Sequence, residues 1–221
     1  YLEDGFEIDK APFFFVSYNH AAQSGYLKFT STIHKKATSV PPDKSPLPFG
    51  LRRGIGVLFI TLLAQDSAPG FHATALQVNG HGIIAPGDSG TGKSTFFAMF
   101  PEPMQLNDEF VIVRNMKDGP KIFSTPFSET WDKTRKNRSA HLRLLIKLKQ
   151  ASRIESNPVN PAEIVQILNH NLLLPVGAEL EYHTSFQVFT EVARHLKAKE
   201  LSFTLDNEAV LKKVQEMAGE L

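Results

Sequence analysis

Cysteine is absent from the 221 residues, tryptophan occurs once, and neither sign of charge dominates: 24 Lys and Arg stand against 23 Asp and Glu, a formal net charge of +1. The lack of cysteine removes disulfides, thiolate nucleophiles and cysteine-based zinc sites, and fits a reducing compartment, so the cytoplasm is the expected location. The lack of a basic excess removes the electrostatic footprint of a nucleic-acid binder, and no such partner is expected. The longest apolar run, residues 55–64, is about half the ~20 residues a bilayer-spanning helix needs, so no membrane partner is expected either. Tyr1 is not an initiator methionine; a further segment is expected upstream, and targeting is not readable from this end.

What is present is ordinary globular composition, 42% apolar and 21% charged, in a length that suits one large core with a small appendage. Two aromatic, β-favouring runs at residues 12–18 and 26–32 predict a small β unit over residues 1–40. Four prolines between Val40 and Gly50 forbid regular structure and mark a linker over residues 41–50. The remaining residues, 51–221, read as the principal domain.

Residues 55–64 predict a buried helix, closed by the turn-rich Asp66-Ser67-Ala68-Pro69-Gly70. Asn79-Gly80 between residues 73–78 and 82–85 is the strongest dipeptide signal for a tight hairpin, and Asp118-Gly119 predicts a second one joining residues 110–114 and 121–124. Residues 95–100 predict a helix stopped by Pro101 and Pro103. Asn160-Pro161 reads as a cap and first-turn proline opening a helix to about His170. Phe186, Phe189, Val192, Ala193 and Leu196 repeat at helical spacing, residues 201–205 alternate as a strand, and Val210, Leu211, Val214 and Met217 form a closing helix. These apolar positions are read as core.

One octapeptide carries chemistry. Gly87-Asp88-Ser89-Gly90-Thr91-Gly92-Lys93-Ser94 matches G-x-x-x-x-G-K-[ST] in full, a pattern that average residue frequencies produce by chance in roughly one chain in a hundred of this length. Glycines let successive amides turn inward onto phosphate oxygens, the lysine adds a point charge for the β- and γ-phosphates, and the final hydroxyl ligates Mg²⁺. The setting, strand before and helix after, is the one the motif requires. The expected ligand is a nucleoside triphosphate, ATP, with Mg²⁺, held by residues 87–94 and by Thr95.

Beyond the loop, Asp108-Glu109 stands before the apolar residues 110–113, where two carboxylates suit a metal or a proton taken from a hydroxyl. His72 opens the strand ahead of the hairpin. Taken singly, an acidic turn is most often solvated and a lone histidine most often structural.

The combination of His72, the Asn-Gly hairpin, Gly-Asp-Ser-Gly-Thr-Gly-Lys-Ser and the later acidic pair resembles the catalytic domain of HPr kinase/phosphorylase, whose nucleotide-binding core is shared with the phosphoenolpyruvate carboxykinases. The likeness covers residues 71–114, with Phe71-His72-Ala73-Thr74-Ala75 and Gln105-Leu106-Asn107-Asp108-Glu109-Phe110 at the family's spacings. Outside it, residues 124–129, 137–142 and 160–163 look like HPr-kinase-like bacterial proteins rather than HPr kinase itself, and the glycine-rich segment that engages the protein substrate is missing. The resemblance implies a P-loop NTPase fold of that type, a twisted mixed sheet flanked by helices. It implies Asp108 as the residue activating the acceptor hydroxyl, Glu109 as its metal-side neighbour in place of the family's usual Asp, and His72 as an electrostatic helper. Ser94, Asp108 and Glu109 are then the metal candidates, and Asp108, Lys93 and His72 the catalytic ones. Arg138 and Glu129 are weaker candidates for phosphate and metal contacts.

Three functions stay open at this point: a kinase transferring the γ-phosphoryl group to a hydroxyl of a protein or small molecule, a nucleotide-binding regulatory module, and an ordinary P-loop NTPase with a distant acidic residue. The last is disfavoured because no later apolar strand ends in Asp at a suitable distance. The acceptor's identity and homo-oligomerisation are not readable.

Overall fold

The computed structural model describes residues 5–10, 14–19, 24–29, 49–127, 137–174 and 178–221. The first three strands, β1 (Gly5–Lys10), β2 (Phe14–Asn19) and β3 (Ser24–Phe29), form an antiparallel sheet in that order. Two of them lie in the aromatic runs expected to be β; β1 was not anticipated. Residues 41–48 of the proline-rich stretch lie outside the described residues, and its last two residues open α1 (Phe49–Gln65), which starts six residues before the apolar run and lies against β2 and β3. The expected turn ends it: Ala68 N–H bonds back to Leu63 at 2.9 Å while Ser67 takes a positive φ of 57°.

Eight strands make the second sheet. The hairpin of β4 (Gly70–Val78) and β5 (His81–Pro86) turns at Asn79 and Gly80, whose φ values of 52° and 80° are those of a two-residue turn with both central residues left-handed. The short β6 (Gln105–Asn107) lies beside β4, and β7 (Phe110–Met116) pairs with β8 (Gly119–Phe123) as the second hairpin. Then come β9 (Ser139–Gln150), β10 (Glu155–Pro158) and β11 (Lys197–Phe203), giving the order β10-β11-β9-β5-β4-β7-β8. β9 runs parallel to β5 on one edge and to β11 on the other, and its first residues also pair antiparallel with β8. The path β9-β5-β4-β7-β8 therefore closes on itself. This is a mixed α/β fold with a mixed parallel and antiparallel sheet flanked by helices.

Alternation along each strand splits the core into two layers. Phe71, Ala73, Ala75, Ile84, Val111 and Leu145 face α3 (Pro161–His170) and α4 (Glu179–Ala193) through Ile164, Leu168, Phe189 and Val192. Leu76, Val78, Ile83, Ala85, Ile146 and Phe203 face α2 (Lys93–Ala98) and α5 (Asn207–Gly219) through Phe96, Phe97, Val210 and Val214. Covered on both faces, β9 buries Leu142, Leu144, Leu145 and Ile146, so it lacks the simple alternation of a half-exposed strand.

Several boundaries move from expectation. Asn160 caps α3 as predicted, its side chain accepting from Glu163 N–H at 2.9 Å. α2 starts at Lys93 and stops at Ala98, short of Phe100. α4 ends at Ala193, so Leu196 packs from the following loop rather than from the helix. β11 stops at Phe203 because Asp206 caps α5 through Ala209 N–H at 3.0 Å, which turns the chain and leaves Leu205 80% exposed. Among the described residues no helix is long and apolar enough to cross a membrane.

Candidate functional site

β5 delivers the chain at Pro86 into the loop of residues 87–92, and α2 begins at Lys93. Gly92 adopts φ 96°, and a Cβ there would sit 2.8 Å from Cζ of Phe203 and 3.1 Å from Nε2 of Gln150, so conformation and space both demand glycine. Gly90 has φ 88° but open space around it. Thr91 closes the turn, its hydroxyl donating to the Asp88 carbonyl at 2.9 Å.

Lys93 is only 6% exposed, and its Nζ donates to the carbonyls of Gly87 at 2.6 Å and Asp88 at 2.8 Å. The loop is thus wrapped around an ammonium. Asp88, Ser89, Gly90, Ser94 and Thr95 are exposed, while Gly87, Thr91 and Gly92 are half-buried. Because α2 has six residues, its macrodipole is smaller than a long helix supplies.

Three side chains brace the loop from elsewhere. Gln150, at the end of β9, donates from Nε2 to the Gly90 carbonyl at 3.0 Å. The Thr74 hydroxyl on β4 reaches the Lys93 carbonyl at 3.4 Å. His170, in the last turn of α3, places Nε2 at 3.0 and 3.2 Å from the two carboxylate oxygens of Asp88.

The acidic pair is presented by Asn107, which is fully buried. Its Oδ1 accepts from the amides of Glu109 at 3.0 Å and Phe110 at 3.1 Å, an Asx turn, while Nδ2 donates to the carbonyl and hydroxyl of Thr125 at 3.0 and 3.1 Å. Asp108 is 3% exposed; Glu109 is half-buried, with Oε2 3.8 Å from Nε2 of His72. On one side of β4, Ala73 pairs with Pro86 at the loop entrance; on the other, its amide donates to the Glu109 carbonyl at 3.3 Å. Loop and acidic turn therefore flank the same point of β4, two strand spacings or about 10 Å apart at the backbone.

No family model and no curated protein matches this sequence.

Arg138 is not brought to the loop. Its guanidinium donates to the carbonyls of Pro103 and Gln105 and to Oε1 of Gln77, four residues along β4 from Ala73, or about 13 Å. It clamps the start of β6 against β4. Glu129 lies outside the described residues. Gln150, His170 and Thr125 were not singled out from the sequence; only Asn107, as an Asn just before a turn, carried a readable signal.

Among the described residues no three His, Asp or Glu side chains gather around one point to hold a metal. Mg²⁺ does not require that, since it commonly takes one or two carboxylates, phosphate oxygens and water. The hard oxygen donors at hand, Ser94, Asp108 and Glu109, fit that chemistry.

Proposed function

We propose that the chain is an ATP- and Mg²⁺-dependent phosphotransferase resembling HPr kinase, built on the P-loop NTPase core shared with the phosphoenolpyruvate carboxykinases, and acting on a hydroxyl of a protein or small molecule. The observation that carries this reading is the buried Lys93 ammonium held by the Gly87 and Asp88 carbonyls inside a loop whose Gly90 and Gly92 are left-handed. A cationic group so placed at the head of a glycine-rich loop suits a polyphosphate better than any neutral ligand.

In this reading Lys93 and the loop amides bind the β- and γ-phosphates and stabilise charge as it moves between them. Ser94 and Glu109 are the groups that would hold Mg²⁺, which when bound would neutralise phosphate charge. The acceptor oxygen forms a bond to the γ-phosphorus, the bond to the β–γ bridging oxygen breaks, and ADP leaves. Asp108 receives the acceptor's proton, and His72, beside Glu109, adds electrostatic support.

The burial of Asp108 favours a second reading, a nucleotide-binding regulatory module, because a general base has to reach its acceptor. A single-turnover assay with ATP labelled at the γ-phosphate, run against serine, small hydroxy compounds and cell extract, separates the two. Transfer of label supports the kinase. Tight binding with neither transfer nor ADP leaves the regulatory module, and no binding removes both.

A further inference from the structure

The Asp88 carboxylate raises a physical problem. It belongs to the second residue of the proposed phosphate loop, is exposed, and carries a negative charge where a nucleoside triphosphate would bring several more. Left alone it would repel the ligand.

We infer that His170 is a positioning residue for the phosphate loop, holding the Asp88 carboxylate in place through an imidazole N–H beside the phosphates. The inference rests on the phosphate-binding reading above and assigns a role to a residue far from the motif. Nε2 lies 3.0 and 3.2 Å from the two Asp88 oxygens, and since a carboxylate only accepts, Nε2 carries the hydrogen.

The ring is not on a loose arm. The α3 terminus that carries it is fixed to β4, His72 N–H donating to the Asn171 carbonyl at 2.9 Å and Leu173 N–H to Gly70 at 2.8 Å. From α4, the Tyr182 hydroxyl donates to Oδ1 of Asn169 at 2.8 Å. The same turn of α3 therefore meets the strand bearing His72 through its backbone and the loop through its side chain. Charged groups nearby among the described residues include Lys93, bonded to the Asp88 carbonyl, and the His72–Glu109 pair on the β4 side.

The pair is largely solvated, so the effect is modest: a weakening of Mg-ATP binding by about three- to tenfold on losing His170. Calorimetric titration of Mg-ATP into the parent, His170→Ala, His170→Gln, Lys93→Ala and the double variant Asp88→Asn/His170→Ala tests it. His170→Ala is expected to weaken binding within that range. His170→Gln, which keeps an N–H donor, should recover part of the loss, and Asp88→Asn on the His170→Ala background should recover at least half. A structural role for His170 would not be rescued by changing Asp88.

If His170→Ala binds like the parent while Lys93→Ala does not bind, the inference is overturned and the phosphate site stands. If the double variant is as weak as His170→Ala, His170 acts through something other than Asp88, and the inference is again overturned. Equal titrations for the parent and Lys93→Ala would remove the phosphate site and this role with it.

Discussion

Asn107 and Thr125 meet across eighteen residues of chain, the Asn107 amide donating to both the carbonyl and the hydroxyl of Thr125 at 3.0 and 3.1 Å. The Thr125 hydroxyl in turn donates to the Phe110 carbonyl at 2.9 Å and accepts from Phe127 N–H at 3.2 Å. One buried amide thereby sets the turn that carries Asp108 and Glu109 and ties it to the segment after β8.

Asn107→Ala is expected to lower stability by about 2–3 kcal/mol, since it strips partners from two turn amides and from buried Thr125. Urea denaturation measures this. A loss below about 0.5 kcal/mol would mean the turn is held by its strands alone.

Lys93→Ala is expected to abolish measurable Mg-ATP binding or weaken it by several kcal/mol, because water does not replace a charge-assisted contact to enclosed phosphates. Isothermal titration at fixed salt provides the comparison. An unchanged dissociation constant would reduce the loop to a structural turn.

Gly90 and Gly92 separate strain from crowding. Both sit at positive φ, but a Cβ at Gly90 meets open space while one at Gly92 comes 2.8 Å from Phe203. Gly90→Ala should therefore cost about 1–2 kcal/mol of backbone strain, and Gly92→Ala roughly 2–4, the surplus coming from the clash. Equal unfolding midpoints for the two variants would contradict the packing of Phe203 under the loop.

Asp108→Asn is expected to preserve nucleotide binding and to cut phosphoryl transfer by roughly two to four orders of magnitude, the range for losing a general base. Glu109→Gln should show a milder defect relieved by raising Mg²⁺. If Asp108→Asn leaves turnover intact while Glu109→Gln destroys it, the two roles are exchanged.

Lys147 offers a test by pH. A hydrogen bond to Glu163, then one to Glu200, holds its ammonium above the usual lysine range, with N–O distances of 2.6 and 3.1 Å. A raised folded value means that this stability is fully present below the ordinary lysine pKa, about 10.4, and is lost as pH rises through the higher folded one. The stability difference between the parent and Lys147→Gln should accordingly be flat through neutral pH and shrink only above about pH 10. Shrinkage already between pH 7 and 9, followed by urea unfolding, would show that the two glutamates do not hold this proton.

Much of the candidate site was legible because its determinants are local. Asn79-Gly80 supplies the two left-handed residues a tight hairpin needs, and Asn160-Pro161 supplies a side-chain acceptor and a pre-set φ where a helix starts. The Gly87–Ser94 motif likewise names its own glycines, its lysine and its hydroxyl. In each case a residue acts on its own backbone or a few positions away, so spacing in the chain is spacing in the molecule.

The tertiary structure decided the rest, because those relationships run through sheet register. β9 reads Leu-Arg-Leu-Leu-Ile-Lys-Leu-Lys, rich in helix formers, and becomes a central strand only because β5 and β11 pair with its two edges and helices cover its faces. That placement carries Gln150 to Gly90, as the packing of α3 on β4 carries His170 to Asp88. The same geometry takes Arg138 to Gln77 and Pro103 rather than to the loop. Sequence by itself determined the glycines, lysine and hydroxyl that the loop presents; the pairing of strands more than fifty residues apart determined what surrounds it.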